Sequence, residues 1–162
     1  DQIPRRFHIN GVIFEILHPL PENSGIRRSG NTNDHSIVLK ASYKGKALLL
    51  PGDIMKGAEE AILNQTGRAP LQAEVLIAPH HGSKTSSTER FLDAVNPKAV
   101  IISAGIQNRF DLPAPSVIQR YREIGCRILR TNQNGAVEIT LDGRRVTLQP
   151  FLGEPVVLGV GD

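Results

Sequence analysis

Two adjacent histidines, His80 and His81, stand in a segment whose residue types suit a metal or phosphate site. An apolar run at residues 75–77 precedes them, and an aliphatic run that stops at a proline predicts a buried strand with a loop beyond its carboxyl end. Imidazoles bind transition metals or transfer protons near neutral pH. The loop also supplies hydroxyls and an ammonium group, which bind phosphate oxygens. These groups belong to Ser83, Lys84, Thr85, Ser86 and Ser87.

A purely structural role is the plainer interpretation of the same segment. Neighbouring histidines in a loop are often ordinary surface residues. Ser86 and Glu89 have the spacing of a capping box, in which a hydroxyl and a carboxylate close the first turn of a helix. The local composition leaves both interpretations open, so a second segment upstream is needed to choose between them.

That second segment is an apolar run at residues 48–50, which leads through Pro51 and Gly52 to Asp53. If both runs are parallel strands of one sheet, their carboxyl ends lie at the same edge, where Asp53 and the histidines converge on one ion. A carboxylate with imidazoles suits zinc or manganese, and one carboxylate can bridge two such ions. Taken alone, Asp53 is better explained as the cap of the following helix.

The composition bounds the class of protein. A length of 162 residues with 40% hydrophobic content predicts a single domain with its own core. We expect this chain to be soluble, because no apolar run approaches the roughly 20 residues of a membrane-spanning helix and no signal peptide opens it. The single cysteine, Cys126, excludes an internal disulfide and a cysteine-based zinc cluster. A net charge of +3 permits a polyanionic partner.

Hydrophobic periodicity and turn residues predict alternating strands and helices, which is an α/β pattern. Strands are predicted at residues 7–10, 12–17, 36–43, 46–50, from about 74, and at 99–103, 127–131, 136–141 and 144–149. Helices are predicted at residues 55–65, 88–95 and 115–124. The whole chain, residues 1–162, is predicted to be one partial domain with leading strands at 1–18 and a tail at 151–162.

Other candidate contacts are weaker. Asn108 and Arg109 follow the predicted strand at residues 99–103 and are candidate phosphate contacts at the same sheet edge. Arg27 and Arg28 form a basic pair in a predicted loop, where a solvated surface role is the usual one. His8 is isolated in a predicted strand and His18 at the end of one, where a structural role is favoured over a ligand role.

The order of these segments resembles the metallo-β-lactamase-fold domain of ComEC-type DNA-uptake proteins. The resemblance spans roughly residues 11–141, and its landmarks are residues 33–39, 49–54, 78–87, 97–103, 108–113 and 130–135. The main metal motif of that fold, His-x-His-x-Asp-His, appears nowhere in this chain, and in the family it precedes this region. The resemblance therefore implies the carboxyl-terminal half of an αββα metallo-β-lactamase-like sandwich.

The resemblance also implies roles for individual residues. Asp53 would be the bridging carboxylate, His81 the late metal ligand, and His80 a catalytic group that faces the substrate. Leu112 stands where the family usually has a histidine, which removes a substrate contact or proton donor. His35 is the only nearby candidate for the middle histidine ligand.

The function implied by the resemblance is that of a metal-dependent nuclease, with two zinc or manganese ions, that degrades the DNA strand not imported during natural transformation. Its parent would be a polytopic channel of the bacterial membrane with this domain on the extracytoplasmic side, and its partners would be DNA, as a single strand or duplex end, and the channel portion. The fragment alone is expected to be inactive. Two alternatives stay open: a phosphodiesterase of small phosphoesters with the same fold, and a non-catalytic DNA-binding or assembly module.

Overall fold

A seven-stranded mixed sheet is the centre of the fold in a computed structural model, which describes residues 5–19 and 31–159. Its strands follow one another in the sheet in the same order as in the chain. They are β1 (Arg6–Ile9), β2 (Val12–His18), β3 (Val38–Tyr43), β4 (Lys46–Leu50), β5 (Val75–Ile77), β6 (Ala99–Ile102) and β7 (Arg127–Arg130). Strands β1 to β4 pair antiparallel, whereas β4 to β7 pair parallel.

Helices cover one face of this sheet. They are α1 (Lys56–Thr66), α2 (Glu89–Val95) and α3 (Pro115–Glu123), and a single helical turn, α4 (Thr131–Asn134), follows β7. The core between helices and sheet contains Ile62 of α1, Phe91 of α2 and Tyr121 of α3 against Leu49 and Val100 of the sheet. Because each helix follows a parallel strand, the loops that lead into the helices collect at the carboxyl edge of those strands.

A second, three-stranded antiparallel sheet packs on the other face. It consists of β8 (Val137–Leu141), β9 (Val146–Pro150) and β10 (Val156–Leu158), with β9 in the middle. Buried Val75 and Ile101 of the large sheet meet Val146 and Leu148 of the small one. The chain is therefore layered as helices, sheet and sheet, which confirms the predicted α/β class and is compatible with an α/β sandwich.

Part of the face that carries the second sheet is only partly covered. Residues directly opposite in paired strands share a face, and the pairing runs from Leu48 through Ala41 and Phe14 to Phe7. Leu48 packs against the second sheet, but Ala41, Phe14 and Phe7 are all partly exposed. Leu49, which faces the helices, is fully buried. The amino-terminal strands thus present an apolar surface that the described residues do not fully bury.

Several predicted boundaries need correction. Helix α2 begins after Thr88, whose hydroxyl accepts the Phe91 N–H, so the capping box proposed for Ser86 and Glu89 is wrong. The Ser86 hydroxyl instead donates to the carbonyls of Pro79 and Ser83, at 2.9 and 3.0 Å. The tail predicted at residues 151–162 contains β10, which its composition does not indicate. Arg27 and Arg28 lie outside the described residues.

No helix in residues 5–19 and 31–159 has the length and apolar character needed to cross a membrane.

His18 is buried at the end of β2 and links that strand to the segment before β3. Its Nε2 lies 2.7 Å from the Asp34 carbonyl oxygen, and its Nδ1 has no hydrogen-bond partner among the described residues. Burial lowers the pKa of His18 below 6.5, with the neighbouring Asp34 opposing that shift. The ring is therefore held neutral, which is the structural role predicted for it.

We expect the free energy of unfolding to decrease as the pH falls through 6.5, because the unfolded state then binds a proton that folded His18 resists. Urea unfolding at pH values on either side of 6.5 measures this, with His18→Gln for comparison. The variant should show a weaker pH dependence in this window. Equal pH dependence in both proteins would contradict the assignment.

Candidate functional site

The carboxyl edge of the parallel strands gathers the predicted site residues. Asp53 lies beyond β4, His80 and His81 lie beyond β5, and Ser103 follows β6 directly. Strands β4, β5 and β6 are parallel neighbours, so the loops after them are adjacent in space. Residues 78–87, which contain both histidines, are called the histidine loop. The structure brings Asp53 and this loop together, as the sequence pattern predicts.

His81 and Asp53 face each other at this edge. The Nε2 atom of His81 lies 3.7 Å from Oδ1 of Asp53, and the two side chains are 49% and 46% exposed. The other ring nitrogen, Nδ1, lies 2.9 Å from the carbonyl oxygen of Ser103. A carbonyl only accepts, so Nδ1 carries the proton and Nε2 of the neutral ring keeps its lone pair on the side of Asp53.

This arrangement fits two ligands of one metal ion. Zinc binds a histidine nitrogen or a carboxylate oxygen at about 2.1 Å, so two ligand atoms of one ion are at most about 4.2 Å apart. The 3.7 Å between His81 and Asp53 falls within that limit. A ring N–H donated to a backbone carbonyl is also the usual support of a metal-bound histidine. Within residues 5–19 and 31–159 there is no group of three or more His, Cys, Asp or Glu side chains placed to hold a metal.

His80 points to different partners. Its Nε2 lies 3.2 Å from the side-chain amide nitrogen of Asn33, and its Nδ1 lies 3.4 Å from the Thr85 hydroxyl. Thr85 in turn lies 3.0 Å from the hydroxyl of Ser83. The amide N–H of Asn33 donates to Nε2, so Nδ1 carries the proton in the neutral ring. The two adjacent histidines therefore occupy non-equivalent positions.

The backbone of the histidine loop is left-handed over three consecutive residues. The φ angles of His80, His81 and Gly82 are 49°, 56° and 78°. This conformation costs roughly 1–2 kcal/mol for a residue other than glycine, and such strain is concentrated at functional sites. Contacts on both sides hold it: the His80 N–H donates to the Gly52 carbonyl at 3.1 Å, and the Ala114 N–H donates to the Gly82 carbonyl at 2.9 Å.

Gly82→Ala is expected to reduce the free energy of unfolding by about 2–4 kcal/mol. A Cβ atom at Gly82 would lie 2.7 Å from Cβ of Pro113, in addition to the cost of its positive φ. Gly125→Ala is a matched control, because Gly125 has φ +73° and no atom within 4 Å of the added Cβ. Urea unfolding compares them, and an equal loss in both variants would show that close packing at Gly82 contributes nothing.

A short segment before β3, which contains Asp34 and Ser36, forms hydrogen bonds with the backbone next to the site. The carboxylate of buried Asp34 accepts the Met55 N–H at 2.7 Å, and the Ser36 hydroxyl accepts the Asp53 N–H at 3.2 Å. These contacts fix the start of α1 and the backbone of the loop that carries Asp53. The sequence pattern marks this segment as part of the family resemblance but assigns no role to Asp34 or Ser36. His35, the candidate middle ligand, has an exposed side chain, and its ligand role stays a prediction.

Glu59 is the main positioning residue that the sequence pattern misses. The periodicity of α1 predicts a stripe of Ala58, Ala61, Ile62 and Gln65. Gln65 is exposed, so its place in that stripe is wrong, and Glu59 is fully buried instead. Its two carboxylate oxygens accept the N–H groups of Ser87 and Thr88 at 2.6 and 2.9 Å. Burial raises the pKa of Glu59.

Two residues of α3, like Glu59 of α1, also hold the end of the histidine loop in place. The Tyr121 hydroxyl lies 2.6 Å from the Ser87 hydroxyl, and burial raises the pKa of Tyr121. The Arg120 guanidinium donates to the carbonyls of Ser86 and Ser87. Helices α1 and α3 thus hold the end of the histidine loop from two sides. No short sequence motif predicts these contacts, because they join residues that are 28 to 34 positions apart in the chain.

The remaining predicted contacts lie around the site. Lys84 is exposed on the histidine loop beside Thr85. The Asn108 amide closes its own loop, accepting the Leu112 N–H at 2.9 Å and donating to the Leu112 carbonyl at 2.7 Å. Arg109 is exposed, with its guanidinium 4.6 Å from the centre of the Phe110 ring. The phosphate-binding roles of these residues stay predictions.

Comparison with protein-family models finds no match. Several curated proteins are similar to the chain. It is 36% identical over 137 residues to the competence protein ComA of Neisseria gonorrhoeae, covering 85% of this chain and 19% of ComA. It is 38% identical over 143 residues to ComE operon protein 3 of Bacillus subtilis, covering 88% of this chain and 18% of that protein. It is 31% identical over 145 residues to Recombination protein 2 of Haemophilus influenzae, covering 90% of this chain and 17% of that protein.

The chain spans less than a fifth of the length of these relatives, and the matched region includes most of the described fold. It is thus a homologue of one segment of larger bacterial proteins, of which one is named for competence and one for recombination.

Proposed function

We propose that this chain supplies half of a metal-dependent phosphodiesterase centre in a DNA-uptake protein of the ComEC type. The observation that carries the proposal is the pair formed by Asp53 and His81, with Nε2 and Oδ1 3.7 Å apart. The Ser103 carbonyl orients the His81 ring so that its lone pair is directed to the aspartate side. A histidine and a carboxylate held in this way are the donor set of a zinc or manganese site.

The relatives support the choice of substrate class. One is named for competence and one for recombination, and this chain is homologous to all three over 85% or more of its own length. The chain is mildly basic, with a net charge of +3 and a pI near 9.3, which is compatible with a polyanion such as DNA. Lys84 and Arg109 are exposed cations on the two loops that border the site.

Each residue has a distinct task in this proposal. Asp53 and His81 hold the metal, which when bound supplies Lewis-acid catalysis and water activation for attack on a phosphodiester. His80 donates a hydrogen bond or proton to a phosphate oxygen from Nδ1, where it now meets the Thr85 hydroxyl. Ser83 and Thr85 provide hydroxyl contacts, and Lys84 neutralises phosphate charge.

Within residues 5–19 and 31–159 the centre is incomplete. Asp53 and His81 supply two ligands, whereas a tetrahedral site needs four and a two-ion site more. The partly covered apolar face at Phe7, Phe14 and Ala41 agrees with a domain that continues beyond this chain. We infer that the other ligands precede Asp1 in a longer parent protein, in which a membrane channel portion is the neighbouring partner. The isolated chain is then expected to bind zinc or manganese weakly and to cleave no DNA.

The test compares the isolated chain with a longer product of the parent gene that includes the residues before Asp1. The longer protein should hydrolyse DNA in the presence of zinc or manganese and lose this activity on chelation. A small phosphodiester should react much more slowly, because it lacks the extended phosphate contacts. Preference for the small ester would favour the small-phosphoester alternative. Metal-free DNA binding without any hydrolysis would favour a non-catalytic binding module.

A further inference from the structure

A cleft lined by cationic side chains lies beside the histidine loop. Its volume is about 310 Å³, and it is open to solvent. The cations come from four parts of the fold: Lys56 from α1, Lys84 from the histidine loop, and Arg90 and Arg120 from α2 and α3. Glu89 is the one carboxylate among its lining residues. The fold thus assembles a local excess of positive charge that no sequence run displays.

Carboxylates compensate these charges only in part, because buried Glu59 interacts electrostatically with Arg120 and Glu89 lines the cleft. Lys56, Lys84 and Arg90 are exposed, and within residues 5–19 and 31–159 none of them forms an ion pair. Arg120 is partly buried, and its Nη1 donates to the carbonyls of Ser86 and Ser87, so its guanidinium is fixed in place. One anchored guanidinium with three exposed cations around it suits a phosphate group, which accepts several charge-assisted hydrogen bonds.

The position of the cleft links it to the proposed metal site. Thr85 lines the cleft and also lies 3.4 Å from Nδ1 of His80, so a single side chain separates the cleft from the histidine pair. The Lys56 N–H donates to the Thr85 carbonyl at 2.9 Å, which ties the start of α1 to this point. A strand whose phosphate lies at Asp53 and His81 would continue past Thr85 into the cleft.

We propose that this cleft is a second phosphate-binding subsite, which holds a backbone phosphate of a nucleic acid strand next to the one at the metal site. The inference rests on the proposed function for the identity of the ligand. The open shape favours one phosphate of a continuing chain over a free inorganic anion, because a chain must enter and leave the cleft. The cleft itself needs no metal to bind the strand.

The test measures binding of a fluorescent single-stranded oligonucleotide of about ten nucleotides to the 162-residue chain in the presence of a chelator. Lys56→Gln and Arg90→Gln should each weaken binding about fivefold. Each should also flatten the dependence of log affinity on log salt by about 0.7, the share of one phosphate contact on a single strand. Arg144→Gln is the matched control, because Arg144 is an exposed arginine outside the cleft, in the β8–β9 hairpin.

Glu89→Gln provides a reciprocal variant that misfolding cannot imitate. Removing the one carboxylate of the cleft should strengthen oligonucleotide binding about twofold to fivefold. Urea unfolding of each variant verifies that it is folded. Unchanged affinity in Lys56→Gln, Arg90→Gln and Glu89→Gln, or an equal loss in Arg144→Gln, would overturn the subsite.

Inorganic phosphate as a competitor separates the two sources of the same chemistry. Inorganic phosphate should not displace the bound oligonucleotide, even at phosphate concentrations far above that of the oligonucleotide. Displacement at equal concentrations would identify a free-anion site and overturn the strand assignment. The outcome is independent of catalysis in the longer parent protein. Strand binding in the cleft without metal-dependent hydrolysis would sink the proposed function alone, and hydrolysis with normal binding by the cleft variants would sink the subsite alone.

Discussion

Replacing His81 by alanine in the longer parent protein is expected to remove bound metal and activity together, whereas His80→Ala should remove activity alone. His81 presents Nε2 to Asp53 and is supported at Nδ1 by the Ser103 carbonyl, as a metal ligand requires. His80 contacts Asn33 and Thr85 and has no contact with Asp53 among the hydrogen bonds and ion pairs of the described residues. Loss of a proton donor at His80 should slow turnover about 10²-fold or more.

Metal content and turnover of the purified variants decide between the two roles. His8→Ala is the control, because His8 is exposed on β1, away from the parallel strand ends. Loss of metal in His80→Ala but not in His81→Ala would reverse the assignment. If neither variant loses metal, the histidine loop is not part of the metal site.

The largest expected loss of stability follows from Glu59→Ala. This variant leaves the buried N–H of Ser87 and the partly buried N–H of Thr88 without their acceptor and opens a cavity beneath the histidine loop. We expect the free energy of unfolding to fall by about 3–5 kcal/mol, since each unsatisfied buried donor costs about 1–3 kcal/mol. Glu60→Ala, at the exposed neighbouring position, should change it by no more than about 0.5 kcal/mol. Equal effects in urea unfolding would rule out the anchoring role.

The carboxyl group of Glu59 should also make the free energy of unfolding depend on pH. Burial raises the pKa of Glu59 above 4.5, so the folded state binds its proton more tightly than the unfolded state does. The stabilisation of the wild-type chain relative to Glu59→Gln should therefore be largest below pH 4.5 and should decrease as the pH rises through the pKa of the folded group. A difference that grows with rising pH would have the wrong sign.

The convergence of the site could be predicted because it depends on local signals. The continuous apolar runs of β4, β5 and β6 predict parallel strands, and parallel strands place the residues after them at one edge. That rule brings Asp53 beside His81 without any knowledge of the three-dimensional structure. The hairpin turns at Asn10-Gly11 and Lys44-Gly45 depend on an equally local signal, because glycine tolerates the positive φ that tight hairpins require, and all four residues adopt it.

The supporting contacts could not be predicted, because they are non-local and involve residue types that are usually exposed. Glu59 and Asp34 are charged side chains that periodicity assigns to solvent, yet each is buried where backbone N–H groups converge. The left-handed backbone of His80 and His81 could not be predicted either, because only a few per cent of residues other than glycine adopt positive φ, even though histidine is enriched among them. It is imposed by the contacts of Gly52 and Ala114 with the loop.

The central claim, that Asp53 and His81 bind one metal ion, is tested most directly by anomalous diffraction from crystals of the longer parent protein soaked in zinc or manganese. The account predicts an anomalous peak within about 2.3 Å of both Nε2 of His81 and a carboxylate oxygen of Asp53. The peak should disappear in Asp53→Asn and His81→Ala and remain in His80→Ala. A peak coordinated by neither Asp53 nor His81 would contradict the account.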